Sequence, residues 1–228
     1  MKYLAIAAFL VAIAHPASST TLRTTAIGYT GPALTIPAFY GDPNNFLFFS
    51  GTLPIGNGNT ITTTAPAESD IGVIGGPDGY SLNANGHIYN SPYVGLDDNS
   101  STITLKFAVP TQSFGLGVNY AVTTGGTISG SDPTIAAYDI NNVLIASYDL
   151  ETLAPIRTPG GADQFQFRGI DSTDAKIASF TLSGAFIVGQ AQLASAVPEP
   201  ATWALLLLGL GATALLIRRG QTGQRFLG

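Results

Sequence analysis

Residues 102–109 read Thr-Ile-Thr-Leu-Lys-Phe-Ala-Val, an alternation that puts Ile103, Leu105, Phe107 and Val109 on one face and Thr102, Thr104 and Lys106 on the other. A period of two belongs to an extended strand with one buried face, and it cannot line one side of a helix. The pattern recurs along the chain. Residues 114–120, 134–140, 143–148, 164–168, 177–182 and 185–192 all read as strands, with Phe165 and Phe167 expected inward. Asn141-Asn142 tolerates positive φ and predicts a two-residue hairpin. Earlier segments, 33–39, 45–50, 59–64 and 70–74, read as strands between turn-rich pieces such as Gly56-Asn57-Gly58-Asn59. Between residues 20 and 197 no stretch carries helical apolar spacing over a dozen positions. The expected fold is all-β: two antiparallel sheets in a β-sandwich of the jelly-roll kind, with a partly open barrel as the rival.

Composition sharpens this. Charged residues make up 10% of the chain, with 27 Gly and 14 Pro, while Thr, Ser and Asn fill the polar positions. Long surface helices need Glu, Lys and Arg, whereas strands and turns do not. The bases between residues 20 and 197 are Arg23, Lys106, Arg157, Arg168 and Lys176, scattered through a region rich in acids. No nucleic-acid partner is expected, because phosphate contacts need clustered Lys and Arg. Cysteine is absent, which excludes disulfides, thiolate nucleophiles and Cys-ligated metals.

Both ends carry membrane-directed patterns. Lys2 precedes an apolar stretch, residues 3–14, followed by small residues through Ser19, the layout of a secretory signal peptide over residues 1–19. At the other end stand Pro198-Glu199-Pro200, an uncharged apolar run over 201–217, and then Arg218-Arg219. The prolines fix φ and Glu199, preceding a proline, is pushed toward an extended shape. As a helix, residues 201–217 would extend roughly 26 Å, near the lower limit for a bilayer. Arg218, Arg219 and Arg225 put the C-terminus in the cytoplasm by the positive-inside bias. The expected division is a signal peptide 1–19, a β-sandwich ectodomain 20–190, a tether 191–197, a sorting segment 198–219 containing a transmembrane helix 201–217, and a cytoplasmic tail 220–228.

The order Pro-Glu-Pro, membrane-length apolar run, terminal Arg pair resembles the PEP-CTERM sorting signal of Gram-negative bacteria. The resemblance implies that exosortase recognises Pro198, Glu199, Pro200, Arg218 and Arg219, after signal peptidase and the secretion machinery have exported the chain. It further implies a transient membrane anchor and then release to the cell surface or extracellular matrix. The pieces Gly79-Tyr80, Tyr93-Val-Gly-Leu, Ser113-Phe-Gly and Phe167-Arg-Gly-Ile also resemble PEP-CTERM ectodomains, which look like carbohydrate-binding jelly rolls.

Motifs for chemistry are sparse. His87 is the one histidine beyond the leader and belongs to no catalytic signature, so no enzyme is expected. A structural calcium ion is the one cofactor to consider, on the loop oxygens of Asp97, Asp98, Glu68 and Asp70. Two functional classes follow. The first is a non-catalytic surface or matrix protein associated with exopolysaccharide through neutral hydrogen bonding. The second is a carbohydrate-binding module with a defined sugar site, for which Tyr80, Tyr89, Tyr93 and Asn85 are the candidates as an exposed aromatic platform with a polar neighbour. A glycan-active enzyme is a distant third.

Overall fold

The alternating stretch at 102–109 is the middle strand of a sheet that it organises on both sides. The computed structural model describes residues 19–36, 46–49, 51–64, 69–72, 80–123 and 130–193. The chain divides into a body, Met1–Leu193, and a tail, Ala194–Gly228. The expected signal peptide, transmembrane helix and sorting residues lie outside the described residues. Among the described residues no helix is long and apolar enough to cross a membrane.

The strands in chain order are β1 (Thr20–Arg23), β2 (Thr35–Ile36), β3 (Phe46–Phe48), β4 (Thr52–Gly56), β5 (Asn59–Thr63), β6 (Ser69–Gly72), β7 (Tyr80–Ser81), β8 (His87–Ile88) and β9 (Tyr93–Leu96). They continue with β10 (Thr102–Thr111), β11 (Ser113–Asn119), β12 (Thr134–Tyr138), β13 (Leu144–Asp149), β14 (Gln166–Ser172), β15 (Ile177–Ser183), β16 (Val188–Gln190) and β17 (Gln192–Leu193). A one-turn helix, α1 (Leu150–Leu153), is capped by Asp149, whose side chain accepts from the Thr152 amide.

A seven-stranded sheet runs β1-β14-β11-β16-β9-β6-β3, and a six-stranded sheet runs β13-β12-β15-β10-β5-β4. Among the described residues every strand pairing is antiparallel except the short β2–β17 ladder, and one isolated bridge, His87 with Ala162, is also parallel. The all-β expectation therefore holds. The two sheets share one core: Phe114 of the first packs against Phe107 and Phe180 of the second, with ring centroids 4.6 and 4.9 Å apart. Ile61, Ile103, Leu105 and Leu182 complete it from one side and Val94, Leu116, Val118 and Ile170 from the other.

The chain crosses between sheets repeatedly, so that neighbours in space are distant in sequence. Among the described residues, adjacent strands pair only at β4–β5, β7–β8 and β12–β13. β10 leaves the six-stranded sheet and β11 enters the other across Gln112. Pro110, which cannot donate to a ladder, sits where the β10–β15 register shifts between Lys106 and Thr111.

Two expectations need correction. The two-residue hairpin lies at Asn57-Gly58, with φ of 53° and 73°, as a turn matching strand twist requires. At Asn141-Asn142 the loop is longer: the Asp139 amide donates to Val143 O, and the Asp139 carboxylate accepts from the amides of Asn141 and Val143. The second correction is the phase of β14. Phe114, Leu116 and Val118 face the core, and they stand opposite Ile170, Arg168 and Gln166. Opposed residues share a face, so Phe167 lies on the outer side, across from Gly117. Phe165 and Phe167 point away from the shared core, and Arg168 takes the buried place, 4% exposed.

Arg168 is accommodated there by carbonyl oxygens. Its Nε and Nη2 donate to Ala154 O at 3.0 and 2.8 Å, and Nη1 donates to Phe167 O at 2.8 Å. Burial lowers its pKa. The fork geometry of a guanidinium makes this possible, since it offers several donors in one plane.

Candidate functional site

The tyrosine-rich stretch nominated as a sugar platform is mostly interior. β7 and β8 fold over the outer face of the seven-stranded sheet, where Tyr80, Leu82, Ile88, Tyr93 and Val188 form a second apolar cluster. Tyr80 and Tyr93 pack ring to ring at 5.6 Å, and the Tyr80 hydroxyl donates to Leu96 O. Tyr93 is 0% exposed, so neither ring offers a face to solvent. Tyr89 alone keeps part of its surface, stacked on His87 at 5.5 Å. Neither Tyr80 nor Tyr93 serves as an exposed platform, because Tyr93 stands on the outer face of β9 and Tyr80, from the covering β7, packs onto it.

Asn85 is buried as well, 1% exposed, and it is a fastening point. Its Nδ2 donates to Tyr120 O and Ile156 O at 2.9 and 3.0 Å, while its Oδ1 accepts from the Thr158 amide at 3.1 Å. The Tyr120 hydroxyl accepts from the Ile156 amide, and Asn119 donates to Gln164 O. This network ties the 156–164 segment to the body.

The acids nominated for calcium do not form a cage among the described residues. Asp98 closes its own turn, accepting from the amides of Ser100 and Ser101 at 3.1 and 2.9 Å and from the Ser101 hydroxyl. Asp97 is exposed in the same turn and Asp70 belongs to β6; Glu68 lies outside the described residues. No group of three His, Asp or Glu able to hold a metal ion occurs among the described residues. His87, the one histidine among the described residues, has a buried Nδ1 without a hydrogen-bond partner among them.

The cavity that the sequence did not point to lies on the outer face of the seven-stranded sheet. It is a half-open cleft of about 380 Å³ lined by Tyr29, Leu34, Gly115, Gly117, Phe165, Phe167 and Gln190, with Ala26 and Ala33 at its edge. Two glycines make it. A Cβ on Gly115 would stand 2.6 Å from the Phe167 ring, and one on Gly117 would meet the Gln190 Oε1 at 2.6 Å and the Phe165 Cβ at 2.9 Å. Their absence lets aromatic and amide side chains lie against the strand.

Tyr29 closes the other wall. Its ring sits 5.0 Å from that of Phe167, tilted by 59°. Its hydroxyl donates to Pro32 O at 2.7 Å and accepts from the Gly115 amide at 3.0 Å, which pins the 26–34 loop over β11. Burial pushes the Tyr29 pKa up to about 12, so the hydroxyl stays protonated at neutral pH. Beside this wall Arg23 and Asp171 form an ion pair at 2.7 Å. Burial raises the Asp171 pKa, but hydrogen bonds from Arg23 and Ser113 outweigh it and hold the carboxyl below its ordinary value. Among the described residues no charged side chain lines the cleft itself.

The sorting residues Pro198, Glu199, Pro200, Arg218 and Arg219 lie outside the described residues. Residues 196–220 match the family model of the PEP-CTERM protein-sorting motif. The chain carries that motif, at the place where the Pro-Glu-Pro box and Arg pair stand. No curated protein and no solved structure matches the chain.

Proposed function

We propose that this chain is an exported exosortase substrate whose all-strand body serves as a non-catalytic surface or matrix protein associated with exopolysaccharide. The observation that carries the reading is the PEP-CTERM match at residues 196–220, since that motif addresses a protein to exosortase. The leader at residues 1–19 supports export, and the apolar run at 201–217 supports a transient anchor with its C-terminus cytoplasmic. The winding of β9 to β16, in which β14-β11-β16-β9 and β13-β12-β15-β10 are the neighbour orders, supports a jelly-roll body. Thr52, Thr62 and Thr104 stand in cross-strand register on the side of the six-stranded sheet opposite its apolar core positions. Such a hydroxyl row offers a neutral polymer hydrogen bonds without a strong charge field.

Replacing Pro198-Glu199-Pro200 with three alanines in the native host tests the sorting step. The variant is expected to accumulate unprocessed in the membrane fraction, while the parent is recovered trimmed at both ends by mass spectrometry. Equal trimming and equal surface display of the two would remove exosortase from the account.

A further inference from the structure

We infer that the cleft between β11, β14 and the 26–34 loop is a binding site for one uncharged pyranose residue. This rests on the reading that the body meets extracellular polysaccharide, and it names the place and chemistry of that meeting. The cleft is concave and lies at the small end of ligand-site volumes, about 380 Å³. Phe165, Phe167 and Tyr29 supply aromatic surface, which suits the C–H face of a sugar ring. Gln190 supplies one donor group and one acceptor, the pair that adjacent ring hydroxyls require, and no hydrogen bond within the body engages its carboxamide among the described residues.

Three competing occupants fit less well. A wholly apolar ligand would leave the Gln190 carboxamide desolvated and unpaired. An anionic sugar would enter a wall without Arg or Lys among the described residues, on a chain whose net charge is already −5. A cation would find no carboxylate among the described lining residues. The phase of β14 adds a reason from packing. Phe165 packs against the edge of the closed cluster of Tyr80, Tyr93 and Leu82, yet it and Phe167 both remain half-buried on the outer face, so their exposed sides are left to the cleft.

The test uses the mature protein recovered from its host. Saturation-transfer NMR is run with methyl glycosides of glucose, galactose, mannose and N-acetylglucosamine, and with glucuronate and galacturonate as charged comparators. At least one neutral glycoside is expected to receive saturation and the uronates are not. Gln190→Ala removes the polar contact, and Ala33→Trp fills the cleft from an exposed rim position; each should weaken binding at least about fivefold. Thermal melts of both variants check that the body is intact, and because Ala33 is exposed its variant separates occlusion from unfolding. No transfer to any neutral glycoside, or equal transfer in both folded variants, overturns the inference. Affinity electrophoresis through the host polysaccharide separates the two levels. Retardation that persists unchanged in Ala33→Trp sinks the cleft alone, whereas no retardation of the parent sinks the polysaccharide association and the site with it.

Discussion

Asn85 shows how a polar residue becomes structural when its partners are backbone groups drawn from distant segments. Replacing it with Ala leaves Tyr120 O, Ile156 O and the Thr158 amide short of a partner inside the body. The cost should be about 3 kcal/mol. For a domain of this size that corresponds to a Tm lower by roughly 6–12 °C, measurable by circular dichroism. The buried tyrosines make a second residue-scale prediction. Burial raises the pKa of Tyr29 to about 12 and raises that of Tyr120 as well. An acid held protonated by folding contributes stability that is full below its unfolded pKa, about 10, and lost as pH rises through the folded value. The Tm should therefore fall between about pH 10 and 12, and Tyr29→Phe should show a shallower fall; parallel curves would contradict it. Asn85 was legible as a candidate from its type, but its burial was not, because a lone Asn in a loop carries no periodicity.

At the scale of elements, glycines decide what the strands can present. The β4–β5 turn places Gly58 at φ 73°, and a Cβ there would stand 3.0 Å from the Ala108 Cβ. Gly58→Ala should cost on the order of 1–2 kcal/mol, while Asn57→Gly should stay within about 0.5 kcal/mol. Equal effects at both positions in a denaturant titration would show that backbone conformation is not the cause. The Asn-Gly pair was readable as a turn, and the structure adds that it is the tight one. Gly115 and Gly117 belong to the stretch 114–120 that reads as a strand, and both lie inside β11, where they leave room for Phe167, Phe165 and Gln190. Strand glycines mark close approach as readily as they mark a bend.

For the whole molecule, the sandwich is assembled from pairings between remote segments, such as Thr20 with Ser172 and Thr102 with Ser183. Chain ends must meet across most of the body before these ladders reward the entropy of closing the loops. Refolding of the mature protein should accordingly fall in the millisecond-to-second range, followed by stopped-flow fluorescence, and a microsecond phase carrying the full amplitude would contradict the topology.

Sequence alone determined that the body is built of strands, that its charged residues are few and mostly acidic, and that its tail carries a sorting motif. Each of these is written locally, in alternation, composition or a short ordered motif. Tertiary structure decided which side of each strand faces in. An alternating segment has two phases of equal local merit, and only pairing with a neighbour of known phase selects one. For Phe165 and Phe167 that neighbour is β11, whose core residues put Arg168 inside and the two rings out, over the glycines that form the cleft.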